Sequence, residues 1–357
     1  MRSGLSVGPR VFLSAPSGGA GFRQCHAASL VLLADASLLV AFFAGSGEGA
    51  GDTAIWTARG GGAGADAGWQ APRRVLAEAG LAHWNPVLHA DGKRLLLFHK
   101  VGATVHSWRT RLAVSTDGGS RWGVPQALVA DDAGARGPAK NKLLVTGDGT
   151  WLAPGSTEDA RHWDAFVDRS TDRGGAWTLA PIPLVHRDPP APGGALWRGL
   201  AAGALWESDP ARAFAWDGVI QPTLWESAPG MVHALMRSTR GVAYRSDSHD
   251  AGRSWCAAYP TPLANNNSGL DLVRLGDGRL VLACNPVGGN WRARTPLVLL
   301  VSADNGQTWR QEAVLEDEDG EFSYPAIIAD PRQGGLHLAY TWNRRAIVYR
   351  GVGVTAG

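Results

Sequence analysis

Ser115-Thr-Asp117-Gly-Gly119-Ser-Arg-Trp122, Ser170-Thr-Asp172-Arg-Gly174-Gly-Ala-Trp177, Ser248-His-Asp250-Ala-Gly252-Arg-Ser-Trp255 and Ser302-Ala-Asp304-Asn-Gly306-Gln-Thr-Trp309 share one pattern, S-x-D-x-G-x-x-W. The spacing has a physical reason. The Asp carboxylate accepts hydrogen bonds from its own turn's amides, Gly takes a positive φ, and Trp folds back as an apolar plug. Each copy therefore predicts a self-stapled β-hairpin turn. The aspartates lie 55 (117 to 172), 78 (172 to 250) and 54 (250 to 304) residues apart. A worn copy, Asp66-Ala-Gly68-Trp69, puts its Trp 53 residues before Trp122. A period in this range, with several short apolar strands per repeat, is the signature of a β-propeller.

Strands read as short apolar runs between turn residues. Ser29–Leu33 and Leu38–Phe43 flank a turn at Asp35, and Thr53–Trp56 follows. Pro86–Leu88, Arg94–Phe98 and Arg111–Val114 repeat the plan, as do Lys142–Val145 with Trp151–Ala153, and Leu270–Val273 with Leu280–Ala283 and Leu297–Val301. The pairs Asp91-Gly92, Asp148-Gly149 and Asp277-Gly278 are hairpin signals. Two further runs, Ala326–Ile328 and Gly335–Tyr340, supply a sixth repeat, and 357 residues divided by six give about 60 per blade. The expectation is an all-β, six-bladed β-propeller of four-stranded antiparallel blades. It places residues 1–20 as an N-terminal segment, 21–357 as a single propeller, and about 180–216 as an insertion, whose Ala195–Trp206 stretch has the composition of a short helix.

Composition narrows the function classes. Apolar residues make up 45% and charged ones 18%, as in a well-buried β-rich globule, and the 16 Trp are explained first by packing around the turns. Net charge is +2, without a Lys/Arg run of the kind that tracks nucleic acid. Nothing approaches the length of a membrane span, and the first twenty residues hold no apolar run of signal-peptide length. Three cysteines, Cys25, Cys256 and Cys284, are odd in number and without C-x-x-C spacing, which fits reduced thiols. A cytoplasmic protein without metal or other cofactor is expected.

The repeated turn makes the chain similar to the sialidase (neuraminidase) superfamily, and within it to the neuraminidase-like BNR-repeat proteins, over about residues 20–352. The motif implies fold better than activity. The resemblance implies a substrate carboxylate clamped by three arginines, an Asp acid/base, and a Tyr nucleophile assisted by Glu. Arg237, in Leu235-Met-Arg237-Ser-Thr-Arg-Gly241, resembles the second clamp residue, and Arg294, in Arg294-Thr-Pro-Leu297, the third. Arginine suits this role because its planar fork donates two parallel hydrogen bonds and keeps its charge. At the first clamp position stands His26, with Arg23 three residues earlier. Histidine can contact a carboxylate and also shuttle a proton.

Two departures bear on mechanism. Gln221, in Ile220-Gln-Pro-Thr223, occupies the place of the assisting Glu, and Phe322 that of the nucleophilic Tyr, with Tyr324 two residues on and on the same strand face. Asp52 matches the acid/base, with Glu48 beside it; two neighbouring carboxylates can raise each other's pKa. Asn85, Lys142, Asn267 and Asp271 recur at one phase of successive repeats and are expected to line the site. The expected function is a sialidase-like, exo-acting glycosidase cleaving the bond of a terminal acidic sugar with an altered catalytic set. The alternatives are a uronate lyase working through His26 and Tyr324, and a non-catalytic glycan-binding propeller.

Overall fold

Each apolar run pairs with the next across a tight turn, so the chain advances by antiparallel hairpins. The computed structural model describes residues 4–15, 21–61, 68–130, 135–159, 161–187 and 216–354. Two compact units divide the chain, one of residues 1–142 and 324–357, the other of residues 143–323. Among the described residues the regular elements are β-strands.

The first unit holds three sheets among its described residues. One consists of β3 (Gln24–Leu32), β4 (Leu38–Gly45), β5 (Ala54–Gly60) and β6 (Arg73–Leu76), and the next of β7 (His83–Asp91), β8 (Arg94–Val101), β9 (Arg109–Ser115) and β10 (Gln126–Ala127). The third is built from β23 (Phe322–Asp330), β24 (Gly335–Trp342) and β25 (Ala346–Val354), and it gains β1 (Leu5–Val7) and β2 (Val11–Phe12) along β25. Residues 5–12, expected as a segment ahead of the repeats, thus complete the last sheet. Phe42, Leu38 and Cys25 of the first sheet share one core with Ala339, Ile347 and Tyr349 of the last.

The second unit carries two antiparallel runs, β11 (Leu144–Val145), β12 (Trp151–Glu158), β13 (His162–Ser170), β14 (Thr178–Pro181) and β15 (Asp217–Ala228), β16 (Met231–Ser238), β17 (Val242–Ser248), β18 (Tyr259–Ala264). A two-residue parallel pairing, His162 with Asp217 and Trp163 with Gly218, links them. A separate sheet contains β19 (Asp271–Arg274), β20 (Leu280–Cys284), β21 (Leu297–Ser302) and β22 (Arg310–Glu316). Most of the expected insertion, 188–215, lies outside the described residues, as does Asp66 of the worn turn.

The repeated turns form as their chemistry requires. In the first, Ser115 Oγ donates to Asp117 Oδ1 at 2.8 Å, and the amides of Gly119 and Arg121 bond Ser115 Oγ and Asp117 Oδ1 at 2.9 and 2.8 Å. The same triangle recurs at Ser170 and Asp172, Ser248 and Asp250, and Ser302 and Asp304. The turn glycine then comes close to the preceding sheet. Gly119 has φ of 83°, and a Cβ there would sit 2.8 Å from Leu39 Cδ2. Trp122 packs against the core that holds Leu39 and Leu97, Trp255 belongs to the core that holds Leu152 and Val167, and Trp309 packs against the one that holds Trp225 and Leu235, each core drawing side chains from two sheets or strand runs.

Two stability predictions follow from these turns. Gly119→Ala combines a left-handed backbone with a clash at Leu39 and is expected to destabilise by about 1–3 kcal/mol in denaturant titration. Hydrogen bonds from the Thr308 hydroxyl and amide lower the Asp304 carboxyl from 3.8 to about 2. Its stabilisation is therefore full above pH 3.8 and disappears as the pH falls through about 2. The gap in Tm between wild type and Asp304→Asn should be open at neutral pH and close across that window.

Candidate active site

Six residues other than glycine take left-handed φ near the start of successive repeats: Ala27 (57°), Asn85 (32°), Lys140 (75°), Gln221 (56°), Asn267 (62°) and Tyr324 (51°). All six are buried. In three repeats the pairing register slips at this point, between His26 and Ser29, Trp84 and Val87, and Ile220 and Thr223. A bulge with one left-handed residue re-aims the side chains around it, and such strain persists only where packing enforces it. Asn85 and Asn267 were expected at this phase of the repeat, with Lys142 and Asp271, while Gln221 and Tyr324 were expected in the site from the sialidase resemblance. Lys142 is only half-buried, and the lysine at the equivalent position is Lys140.

In the first unit, His26 is 2% exposed, and its Nδ1 lies 2.9 Å from Thr341 Oγ1. Its ring centre is 4.2 Å from that of Tyr324. Lys140 Nζ donates to the Pro325 carbonyl at 2.6 Å and stands 6.0 Å from the Tyr324 ring centre. The sequence therefore delivers an imidazole, a phenol and an ammonium to one place. Arg23, three residues ahead of His26, is exposed.

The expected carboxylate pair does not form a raised acid. Asp52 is exposed and accepts from the Ser46 hydroxyl at 2.8 Å and from the Ser46 amide. These bonds hold its carboxyl below the usual carboxylate range, the opposite of what a proton donor needs. Glu48 pairs with the Arg344 guanidinium.

In the second unit, Arg237 is 3% exposed. Its Nε donates to Asn267 Oδ1 at 2.9 Å and its Nη1 to Gln221 Oε1 at 3.2 Å. Asn267 in turn donates to Asn290 Oδ1 at 2.8 Å, tying this group to the loop that carries Arg294. The Arg237 guanidinium also lies 5.5 Å from the Trp163 ring centre; Trp163 stacks on Trp216, and Trp291 meets both. These three indoles stand outside the repeated turns and were missed, since nothing local separates them from packing tryptophans.

Arg294 and Asp271, both expected in the site, each brace the fold internally. Arg294 is buried and donates from Nη1 to Glu321 Oε1 at 2.8 Å, a partner 27 residues away that also accepts from the Ser323 hydroxyl. Asp271 accepts from the Thr223 hydroxyl at 2.7 Å and from the Leu272 amide at 3.0 Å, joining β19 to β15. Within Lys140-Asn141-Lys142, the choice of Lys142 over Lys140 has a different reason. In three of the other repeats the left-handed residue precedes proline, as Asn85-Pro86, Gln221-Pro222 and Tyr324-Pro325, and that signal is missing at Lys140-Asn141.

A model of the BNR repeat-like domain matches residues 36–338. No curated protein matches the chain in sequence. Among solved structures, a Dyadobacter fermentans DSM 18053 protein of unknown function aligns with a TM-score of 0.72 and 14% identity over 99% of this chain and 100% of its own. The NanB sialidase of Streptococcus pneumoniae gives 0.69 and 10%, covering 97% of this chain and 70% of its own. Trypanosoma rangeli sialidase, solved with sialic acid, gives 0.66 and 13% over 98% of this chain, which spans only 59% of that enzyme. At such identities the likeness is one of fold, that of the sialidase-like propellers. With the family model matching most of its length, this chain belongs to the BNR repeat-like domain family.

Proposed function

We propose that this protein is a six-bladed propeller that cleaves the glycosidic bond of a carboxylate-bearing sugar by proton transfer rather than by the Tyr and Glu couple of sialidases. The observation that carries this reading is the setting of Arg237. Gln221 and Asn267 orient its guanidinium through neutral amide oxygens, so neither contact cancels the charge. A glutamate at position 221 would have done so. The same substitution removes the carboxylate that would activate a tyrosine nucleophile.

Elimination from a uronate needs three things: a neutralised carboxylate, a base and an acid. His26 and Tyr324 of the first unit, their ring centres 4.2 Å apart, suit the base and the acid. In that reaction His26 takes the proton beside the carboxylate and the C–H electrons form a C=C bond. The C–O bond breaks, and the Tyr324 hydroxyl proton goes to the departing oxygen. The Trp163, Trp216 and Trp291 cluster beside Arg237 offers the apolar surface against which sugar rings pack.

Uronate oligosaccharides and sialyl and glucuronyl aryl glycosides distinguish the outcomes. Growth of the ultraviolet absorbance of an unsaturated uronate is expected, slowed at least about a hundredfold in His26→Gln and Tyr324→Phe. Release of the aryl group without that absorbance would replace elimination with hydrolysis, and calorimetric binding without turnover would leave a glycan-binding protein. Arg237→Ala should lower kcat/KM by about 10–100-fold, the loss of one charged hydrogen-bonding group; unchanged turnover and affinity would remove the carboxylate site.

Gln221→Glu gives an independent check. It sets a carboxylate against Arg237 Nη1, where the amide oxygen now lies at 3.2 Å. Competition with the substrate carboxylate is expected to raise KM about tenfold while changing kcat less.

A further inference from the structure

At the far end of β15 from Gln221, roughly 20 Å along the strand, lies a second cluster of reactive side chains. Antiparallel pairing sets Trp225 opposite His233 and His233 opposite Asp247 across β15, β16 and β17, so the three share one face. Ser227 Oγ is 2.7 Å from His233 Nε2, and His233 Nδ1 is bonded to Asp247 Oδ1. Asp247 also accepts from the Tyr259 hydroxyl at 2.6 Å and from Arg245 Nε at 2.9 Å. The serine is half-buried at the end of β15, where the strand enters a turn and Ala228 and Pro229 are exposed. Glu226 fixes that turn by accepting from the amides of Gly230 at 2.9 Å and Gly147 at 2.7 Å.

Hydrogen-bond logic assigns the tautomer. Trp225 Nε1, which can only donate, bonds Asn305 Oδ1 at 2.7 Å, so the Asn305 amide nitrogen is the atom 3.1 Å from His233 Nε2. A donor facing Nε2 means that Nε2 presents its one lone pair, which the Asn305 amide at 3.1 Å shares with the closer Ser227 hydroxyl at 2.7 Å. The carboxylate at Nδ1 accepts only, so Nδ1 carries the proton. Arg245 Nη2, 3.0 Å from the same Nδ1, would prefer the other tautomer, but that arrangement sets donor against donor at Asn305 and acceptor against acceptor at Asp247. Burial raises the Asp247 carboxyl, yet the bonds from His233, Tyr259 and Arg245 outweigh it and hold the group well below the usual range, hence ionised.

The geometry points to a second, separate active centre: Ser227 as nucleophile, His233 as its base and Asp247 as the group that orients the base, acting on small acyl esters. Hydroxyl, imidazole and carboxylate stand in the order that defines such a relay whatever the fold. In the reaction Ser227 Oγ bonds to the acyl carbon while its proton passes to His233 Nε2. The ester C–O bond then breaks, and His233 returns the proton to the leaving alcohol. Water repeats the sequence, releasing the carboxylic acid and restoring Ser227. Arg274, whose Nη2 lies 3.5 Å from the Ser227 carbonyl, brings a cationic donor to the same turn, the type of group that stabilises an oxyanion.

The test uses the full chain with an alkyl fluorophosphonate probe and p-nitrophenyl acetate. Peptide mapping should place the probe on Ser227, and labelling and ester turnover should both vanish in Ser227→Ala, which leaves the His233, Asp247 and Arg245 network in place. His233→Gln should slow labelling by at least about a hundredfold. Because this variant can weaken the fold, its melting temperature is measured alongside, and Asp247→Asn provides a second point: labelling slowed in a protein that still melts cooperatively supports the relay. Unmodified Ser227 in the wild-type protein, or labelling as fast in His233→Gln as in wild type, would overturn it and leave a brace between β16, β17 and the Asn305 turn.

Discussion

The carboxylate of each repeated turn accepts hydrogen bonds from a serine hydroxyl two residues before it and from amides three or four residues after it. This closes the turn without help from the rest of the chain, so the glycine and the tryptophan that follow are delivered in fixed directions. The glycine lets the turn approach the preceding sheet. Gly252, for instance, leaves only enough room for Leu152, whose Cδ2 would be 2.8 Å from an added Cβ. The tryptophan then covers apolar side chains that a four-stranded sheet cannot bury alone. Local electrostatics thereby produces packing between sheets.

With the sheets held from their turns, the opposite strand ends can carry strain. A residue other than glycine in the left-handed region costs on the order of 1–3 kcal/mol, more than a solvated strand end would sustain. Here the residues concerned are buried, and several support a functional group directly. Gln221 and Asn267 are both left-handed and both bind Arg237. Tyr324 is left-handed and meets His26. The backbone distortion and the placement of the polar groups are one arrangement.

Much of this could be read in the sequence because it is local. The turns, the Asp-Gly hairpins and most strands depend on residues within ten positions of each other. The phase of Asn85 and Asn267 followed from the repeat, and the places of Gln221 and Tyr324 from the sialidase resemblance. What escaped is what the chain joins over distance. Leu5 pairs with Val354, and neither short strand has a periodicity of its own. Arg294 looked like a substrate clamp because Glu321, which binds it, lies in a different part of the repeat. Asp52 looked like an acid because its bond to Ser46 depends on how a loop folds back. Lys140 and Lys142 stand two residues apart ahead of β11, and what separates them, burial and a left-handed backbone at Lys140, is visible only in the fold.

Two of the buried histidines, His26 and His233, show how one side chain serves different chemistry through its partner. His233 faces Asp247, which accepts only, and Asn305, whose orientation Trp225 fixes, so its proton has one place to sit. Such a histidine is poised as a base toward the hydroxyl at its other nitrogen. His26 instead bonds Thr341, whose hydroxyl can donate or accept, so this contact accommodates either tautomer. A ring that can exchange its proton between nitrogens without losing that hydrogen bond is suited to moving protons in both directions. In the first unit, with Asp52 held ionised by Ser46, the imidazole of His26 and the phenol of Tyr324 meet as a pair able to give and take a proton.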